Sequence, residues 1–301
     1  MRALVVYFSI TGTTERVAEA VADGLRESGC EATLHDLRDG PVPGTAGYDI
    51  VGVGFPVHWF RMPVNVSAAF RALGDLSGRS GFVFALCGTY RGAGLNLARA
   101  ALRKTGAREI GVFACHGEGR FHGYSIVGHQ FSTGHPDTDD LAAARAFGAG
   151  LPAAHGAASA GKPIARVAPD PHTHWVHAVE RAFVAPWISR LFLQRFIGVD
   201  PSRCVRCGTC SRICPTHNIA WERGELPRWG KDCILCLSCA EFCPESAVRC
   251  PITWPVFRPF LLYNVRNAGN DPSLVHRRVE LRRGKLVPLE GADRDSHQVP
   301  S

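Results

Sequence analysis

The chain has 301 residues, 46% of them hydrophobic and 20% charged, and a formal net charge of +7. That is an ordinary globular composition, long enough for one large domain or two smaller ones, and no apolar run reaches the ~18 residues that a membrane-spanning helix requires. The positive charge is densest at Arg277, Arg278, Arg282, Arg283 and Lys285; no nucleic-acid motif accompanies it, so a solvated face is expected and a nucleic-acid partner is not.

The N-terminus, Met1–Arg2–Ala3–Leu4–Val5–Val6–Tyr7–Phe8, is apolar but short and runs into a Gly/Thr loop. It reads as a first buried strand, Leu4–Phe8, rather than a targeting signal, and a cytoplasmic protein is expected. Thr14–Gly29 reads as a helix with Val17, Ala20, Val21 and Leu25 on one face. Strands follow at Glu31–Leu34, Ile50–Phe55, Gly81–Leu86 and Ile110–Ala114, with helices at Arg61–Leu73, Ala93–Thr105 and Pro136–Leu151. Asp137, Asp139 and Asp140 suit the N-terminus of the last helix. Five strands with intervening helices predict an α/β fold with a doubly wound five-stranded parallel sheet, whose ligands bind outside the carboxyl ends of the strands.

Ser9–Ile10–Thr11–Gly12–Thr13–Thr14–Glu15 joins the first strand to the first helix. Such a loop is an anion cradle: Gly permits the turn, hydroxyls donate, and the first N–H groups of the helix point at the anion. It has no Lys, so it is not an ATP-type phosphate loop, and it is not G-x-G-x-x-G. Ser9-x-Thr11-Gly12-x-Thr14 resembles the phosphate loop of flavodoxins over about residues 1–150. The resemblance implies a flavodoxin-like domain and non-covalent FMN. It places two further loops at the flavin ring: Pro56, Val57, His58, Trp59 and Phe60 after the third strand, and Cys87, Gly88, Thr89, Tyr90, Arg91 and Gly92 after the fourth. Trp59 and Tyr90 are the candidates to flank the ring. Flavodoxin loops are commonly acidic, whereas these carry His58, Arg61, Arg91, His116, Arg120 and His122, with Glu118 the main acid. Less negative surroundings favour an anionic reduced flavin, so a raised low-potential couple is expected.

Residues 152–172 are rich in Ala, Gly, Pro and Ser and read as a linker. Trp175–Ile197 reads as a helix broken or kinked at Pro186, with a stripe of Val176, Val179, Phe183, Trp187, Leu191 and Phe192. Packing against a domain is the first reading of the stripe and a membrane-surface helix the less favoured one. His172, His174 and His177 cluster there, with a metal site a minor reading.

Residues 204–250 hold two copies of C-x2-C-x2-C-x3-C-P: Cys204, Cys207, Cys210, Cys214 before Pro215, and Cys233, Cys236, Cys239, Cys243 before Pro244. This resembles the bacterial two-cluster ferredoxin run. Three close thiolates hold three corners of a [4Fe–4S] cluster, and the fourth reaches the neighbouring cluster better than its own. Cys204, Cys207, Cys210 and Cys243 are therefore assigned to one cluster, and Cys233, Cys236, Cys239 and Cys214 to the other. Zinc is the alternative, and two such sets each closed by Pro weigh against it. A disulfide framework does not suit a long chain with its cysteines gathered in one stretch. Of the remaining cysteines, Cys30, Cys87, Cys115 and Cys250, Cys87 and Cys115 end predicted strands and read as small buried side chains, with a reactive thiol beside the flavin as a second reading for Cys87. Trp254–Tyr263, with three prolines nearby, reads as an extended segment, and the last ten residues as loose.

The expected division is 1–152 flavodoxin-like, 153–199 linker and amphipathic helix, 200–250 two-cluster ferredoxin, and 251–301 an aromatic then basic tail. The whole resembles flavodoxin–ferredoxin fusion proteins, which implies electron transfer. Residues of the chain would act as cofactor holders rather than acid–base catalysts. Two functions compete with a carrier between redox proteins of acidic character: an FMN-dependent reductase of a small acceptor such as a quinone or enone, and a non-catalytic sensor with a vestigial flavin site. The aromatic stretches at 183–196 and 254–263 leave a homo-oligomer open.

Overall fold

A computed structural model describes residues 1–160, 182 and 185–289. The chain divides into two compact units, Met1–Gly117 with Gly134–Arg181, and Glu118–Thr133 with Ala182–Ser301.

In the first unit, β1 (Arg2–Tyr7), α1 (Thr13–Glu27), β2 (Glu31–Asp36), β3 (Ile50–Pro56), α2 (Val64–Ala72), β4 (Ser80–Cys87), α3 (Gly94–Lys104) and β5 (Arg108–His116) alternate. The chain then leaves for α4 (His122–Ser125) and β6 (His129–Phe131), which belong to the second unit, and returns as α5 (Thr138–Ser159). The five strands are parallel in the order β2-β1-β3-β4-β5, the expected flavodoxin-like sheet. Buried on both faces, β1, β3 and β4 are continuously apolar rather than alternating. Phe82 and Phe84 point to one face of β4 and lie over Gly52 and Gly54, their register partners on β3. A Cβ at either glycine would run into the facing ring, which explains the unusual V-G-V-G strand. Phe147 of α5 closes this core against Phe82 and Phe113, at ring separations of 5.8 and 5.4 Å.

The Asp137 side chain caps α5, accepting from the Asp139 and Asp140 amides at 3.0 and 2.9 Å, and Asp140 returns a bond to the Asp137 amide. The helix runs through Pro152 to Ser159, so the expected linker does not begin at 152. Alanines on both sides of the proline hold helical geometry better than its ring disrupts it. The rest of that linker, the His172–His174–His177 cluster, and Val176, Val179 and Phe183 lie outside the described residues.

The second unit differs from the expected division, because Glu118–Thr133 joins it. β6 pairs antiparallel with β11 (His276–Arg282), which forms a hairpin with β12 (Lys285–Pro288). Two short antiparallel pairs, β7 (Gly198–Val199) with β10 (Val248–Arg249) and β8 (Ile219–Ala220) with β9 (Arg228–Trp229), frame the cysteine repeats. Pro186 starts the helix Pro186–Leu191 after a non-helical Ala185, the break expected at this proline. Trp254–Tyr263 is not extended: after two short 3-10 turns, the helix Arg258–Gly269 begins with a proline in its first turn. Proline disfavours helix interiors but is favoured at helix starts, which inverts its meaning here. Among the described residues no helix is long and apolar enough to cross a membrane.

Candidate cofactor sites

The Ser9–Thr14 loop lies at the carboxyl end of β1, next to β3, where the strand order reverses. Gly12 has φ 84°, a left-handed position open to glycine, and its amide donates to Ser9 Oγ at 3.1 Å. Ser9 and Thr14 are fully buried, Thr11 is exposed, and Ile10 and Thr13 are half-buried. Thr14 Oγ1 is buried without a hydrogen-bond partner at the first turn of α1. A buried hydroxyl left unpaired beside the free amides of a helix start fits an anion. The nearby Glu15 is held back by Tyr7, whose hydroxyl donates to it at 3.4 Å, and by Arg38 at 3.8 Å.

The loops after β3 and β4 interlock. Val57 N–H donates to Leu86 O at 2.7 Å, and Ala93 N–H to Phe60 O at 2.9 Å. His58 and Arg61 exchange both backbone bonds at 3.0 Å around Trp59 and Phe60, whose φ values are 52° and 56°. This is a type I′ turn with two bulky residues at positions that favour Gly or Asn. Left-handed backbone of this kind costs on the order of 1–3 kcal/mol per residue and collects at ligand sites. Gly92, at φ 51°, packs on Phe60, and a Cβ there would sit 2.5 Å from Phe60 Cβ and 2.7 Å from its carbonyl oxygen. His58 Nδ1 is buried without a partner, and burial pushes the imidazole down to about 4; the ring is therefore neutral. It meets Phe8 edge-on at 6.2 Å, linking this turn to the end of β1. Pro56, Trp59, Gly88 and Tyr90 are half-buried, and Cys87 and Thr89 buried. All the predicted loop residues thus sit at one end of the sheet.

A contact unforeseen in the sequence joins β4 to β5 there. Cys87 Sγ lies 3.9 Å from His116 Nδ1, and His116 meets His135 at 6.0 Å between ring centroids. Burial pushes the His116 imidazole down and the Cys115 thiol up.

In the second unit, Cys204, Cys207, Cys210 and Cys243 line one cavity, with Val199, Pro244 and Val248 among its walls. Burial, then the neighbouring Cys243, Cys207 and Cys204, pushes Cys210 up to about 11; burial, then Cys236 and Cys214, pushes Cys233 up to about 12. The fourth cysteine of each copy is therefore grouped with the first three of the other. None of the described cysteines is in a disulfide.

The copies also repeat in backbone. Arg206 (φ 54°) corresponds to Leu235 (φ 54°), Gly208 (φ 70°) to Leu237 (φ 59°), and His217 (φ 50°) to Ser246 (φ 47°). These left-handed residues aim amide groups at sulfur. Arg206 N–H donates to Cys204 Sγ at 3.4 Å and Leu235 N–H to Cys233 Sγ at 3.4 Å; Asn218 N–H donates to Cys214 Sγ at 3.3 Å and Ala247 N–H to Cys243 Sγ at 3.2 Å. Converging amides favour anionic sulfur. Crowded thiols bind well once a metal displaces their protons, so these residues fit iron–sulfur ligation.

One position breaks the repeat. Arg212 is exposed, whereas its counterpart Glu241 is fully buried between Cys239 and Cys243. Glu241 accepts from Ser125 Oγ at 3.0 Å and lies 3.1 Å from His122 Nδ1 and 3.4 Å from Arg120 Nε. Arg120 also donates to Gly284 O at 3.3 Å and lies over the Phe242 ring at 4.6 Å. Arg120, His122 and Glu118, expected around the flavin, instead belong to this unit, where Glu118 accepts from Gln130 at 2.6 Å. Nothing in local sequence pattern announces a buried Glu241; only comparison of the two repeats marks it.

An open parallel sheet with an anion loop at its switch point, joined to paired cysteine nests, defines an electron-transfer protein that uses flavin and iron–sulfur chemistry. Comparison with known proteins agrees. A flavodoxin domain family matches residues 4–129 and a 4Fe-4S dicluster domain family residues 196–244. An NAD(P)H dehydrogenase (quinone) of Caulobacter vibrioides is 28% identical over 169 residues, covering 49% of this chain and 81% of that protein. Among solved structures, a flavodoxin from the domain Archaea is 17% identical, covering 52% of this chain and 99% of its own, with a TM-score of 0.39. Flavodoxin 1 from Bacillus cereus is 20% identical, covering 51% and 98%, with a TM-score of 0.42. The chain thus carries a region matching a flavodoxin domain ahead of one matching a 4Fe-4S dicluster domain, an order consistent with a flavodoxin–ferredoxin fusion.

Proposed function

We propose that the protein passes electrons between two [4Fe–4S] clusters and a non-covalent FMN, converting one-electron into two-electron transfer between redox partners. When bound, each cluster carries one electron at a time and the flavin one or two. Cys204, Cys207, Cys210 and Cys243 would hold one cluster, and Cys233, Cys236, Cys239 and Cys214 the other. Ser9, Thr11, Thr13 and Thr14 with the α1 amides would hold the phosphate, and the turn at Trp59–Phe60 and the Tyr90 loop would flank the ring. The exchange of the fourth cysteine between repeats carries this reading. The net charge of +7 favours acidic redox proteins as partners in a cytoplasmic setting. Anaerobic cofactor analysis with an EPR-monitored titration tests it. About eight iron, eight sulfide and one FMN per chain are expected for two such clusters with flavin; iron without flavin, or iron enough for only one cluster, sinks it.

A second reading is a reductase of a small acceptor, favoured by the likeness to a protein named NAD(P)H dehydrogenase (quinone). Reduced protein that turns over a soluble quinone without a protein partner would favour it.

A further inference from the structure

Nine of the fifteen large hydrophobic side chains exposed among the described residues fall in two short stretches, 187–196 and 254–263. Trp187 is 62% exposed, and Phe192, Phe196, Trp254, Phe260 and Tyr263 are also open to solvent. The stretches meet where the Phe196 ring packs edge-on against Trp254 at 4.9 Å. They therefore make one patch rather than scattered single residues, and a patch of this kind marks an interaction surface. The helix Arg258–Gly269 buries Leu261, Val265 and Ala268 within its unit, yet presents Phe260, Leu262 and Tyr263 outward. A helix apolar on both sides calls for a second apolar medium.

Charge selects that medium. From Ala182 to Val199 and from Pro251 to Asn270 there is no Asp or Glu, while Arg195, Arg258 and Arg266 are exposed. A two-fold contact with another copy would set this arginine-bearing patch against its own image, with no acid to answer it. An anionic lipid surface answers every feature. Trp and Tyr rest at headgroup level, Phe and Leu reach the acyl boundary, and Arg meets phosphate. We infer that this face of the second unit docks in the plane of an anionic lipid bilayer, resting on it without crossing.

The test mixes full-length, cofactor-loaded protein with vesicles of phosphatidylcholine alone and of phosphatidylcholine with phosphatidylglycerol. Co-sedimentation with the anionic vesicles alone is expected, with a blue shift of tryptophan emission and loss of binding at high salt. The double variant Trp254→Glu, Phe260→Glu changes exposed residues, so iron content and visible spectrum should stay the same while vesicle affinity falls at least about tenfold. Failure to sediment with either vesicle overturns the inference, as does equal binding to both. A doubled mass by light scattering that the double variant abolishes, without vesicle binding, also overturns it and assigns the patch to a second copy.

Discussion

Gly92 sits at φ 51° against Phe60, where an added Cβ would fall 2.7 Å from the Phe60 carbonyl oxygen. Both its missing side chain and its left-handed backbone are therefore in use. Gly92→Ala should cost about 1–3 kcal/mol and weaken flavin retention, read as a lower Tm and free flavin fluorescence on dilution. The two loops it ties were legible in the sequence, since they follow apolar strands at the expected end of the sheet. The turn that joins them was not, because two left-handed bulky residues contradict local preference and arise only where packing overrides it. Glu241 is a second such residue. Replacing it with Leu leaves Arg120 and His122 facing an apolar wall, and breaking a buried charge pair costs about 3–5 kcal/mol. Glu241→Leu should therefore lower iron content per chain, whereas Arg212→Leu, at the exposed equivalent position, should not. Equal iron in both variants would show the asymmetry to be without consequence.

At the scale of elements, β6 and β11 meet at a stacked pair of imidazoles, His129 and His276, whose rings lie 4.9 Å apart with Nδ1 of one 2.7 Å from Nε2 of the other. Burial first, then the charges of Arg278 and His276, push His129 down to about 4 from its ordinary value near 6.5. Between those values the unfolded chain binds more protons than the folded one, so stability rises with pH across this window and levels off above it. Amide protection factors at residues 129–131, taken against the intrinsic exchange rate at each pH, should fall as pH drops from about 6.5 to about 4, and His129→Phe should flatten the response. A pH-independent protection pattern would contradict the assignment. This strand pair was beyond sequence reading. His-Gln-Phe has no length for periodicity to act on, and its partner lies more than a hundred residues away. The central sheet strands β1, β3 and β4 were readable for the opposite reason: each is a long apolar run bounded by Gly or a loop. In the Trp254–Tyr263 stretch the prolines were seen but their role was inverted, since proline at a helix start and proline in an extended segment look alike without the capping geometry.

For the molecule as a whole, the boundary between the two units is not a single point in the sequence. Arg120, His122 and Ser125 come from the segment between β5 and α5, while Glu241 comes from the second cysteine repeat. A fragment of residues 182–301, expressed alone, would keep all eight motif cysteines and lose every partner of Glu241 named above. Its iron content should fall below that of the full chain, with one of the two cluster signals in EPR diminished. A fragment that loads as fully as the parent would show Glu118–Thr133 to be dispensable. The same threading sets an order of events on the ribosome. Gln130 is made 147 positions before Arg277, which donates to its side-chain oxygen at 3.0 and 2.9 Å. The parallel sheet has all its strands and helices once α5 has emerged, but the segment that left it must wait for β11, made far later in the chain. The contacts around Glu241 therefore form only after the second cysteine repeat has been made, and they draw on residues that were among the earlier ones made.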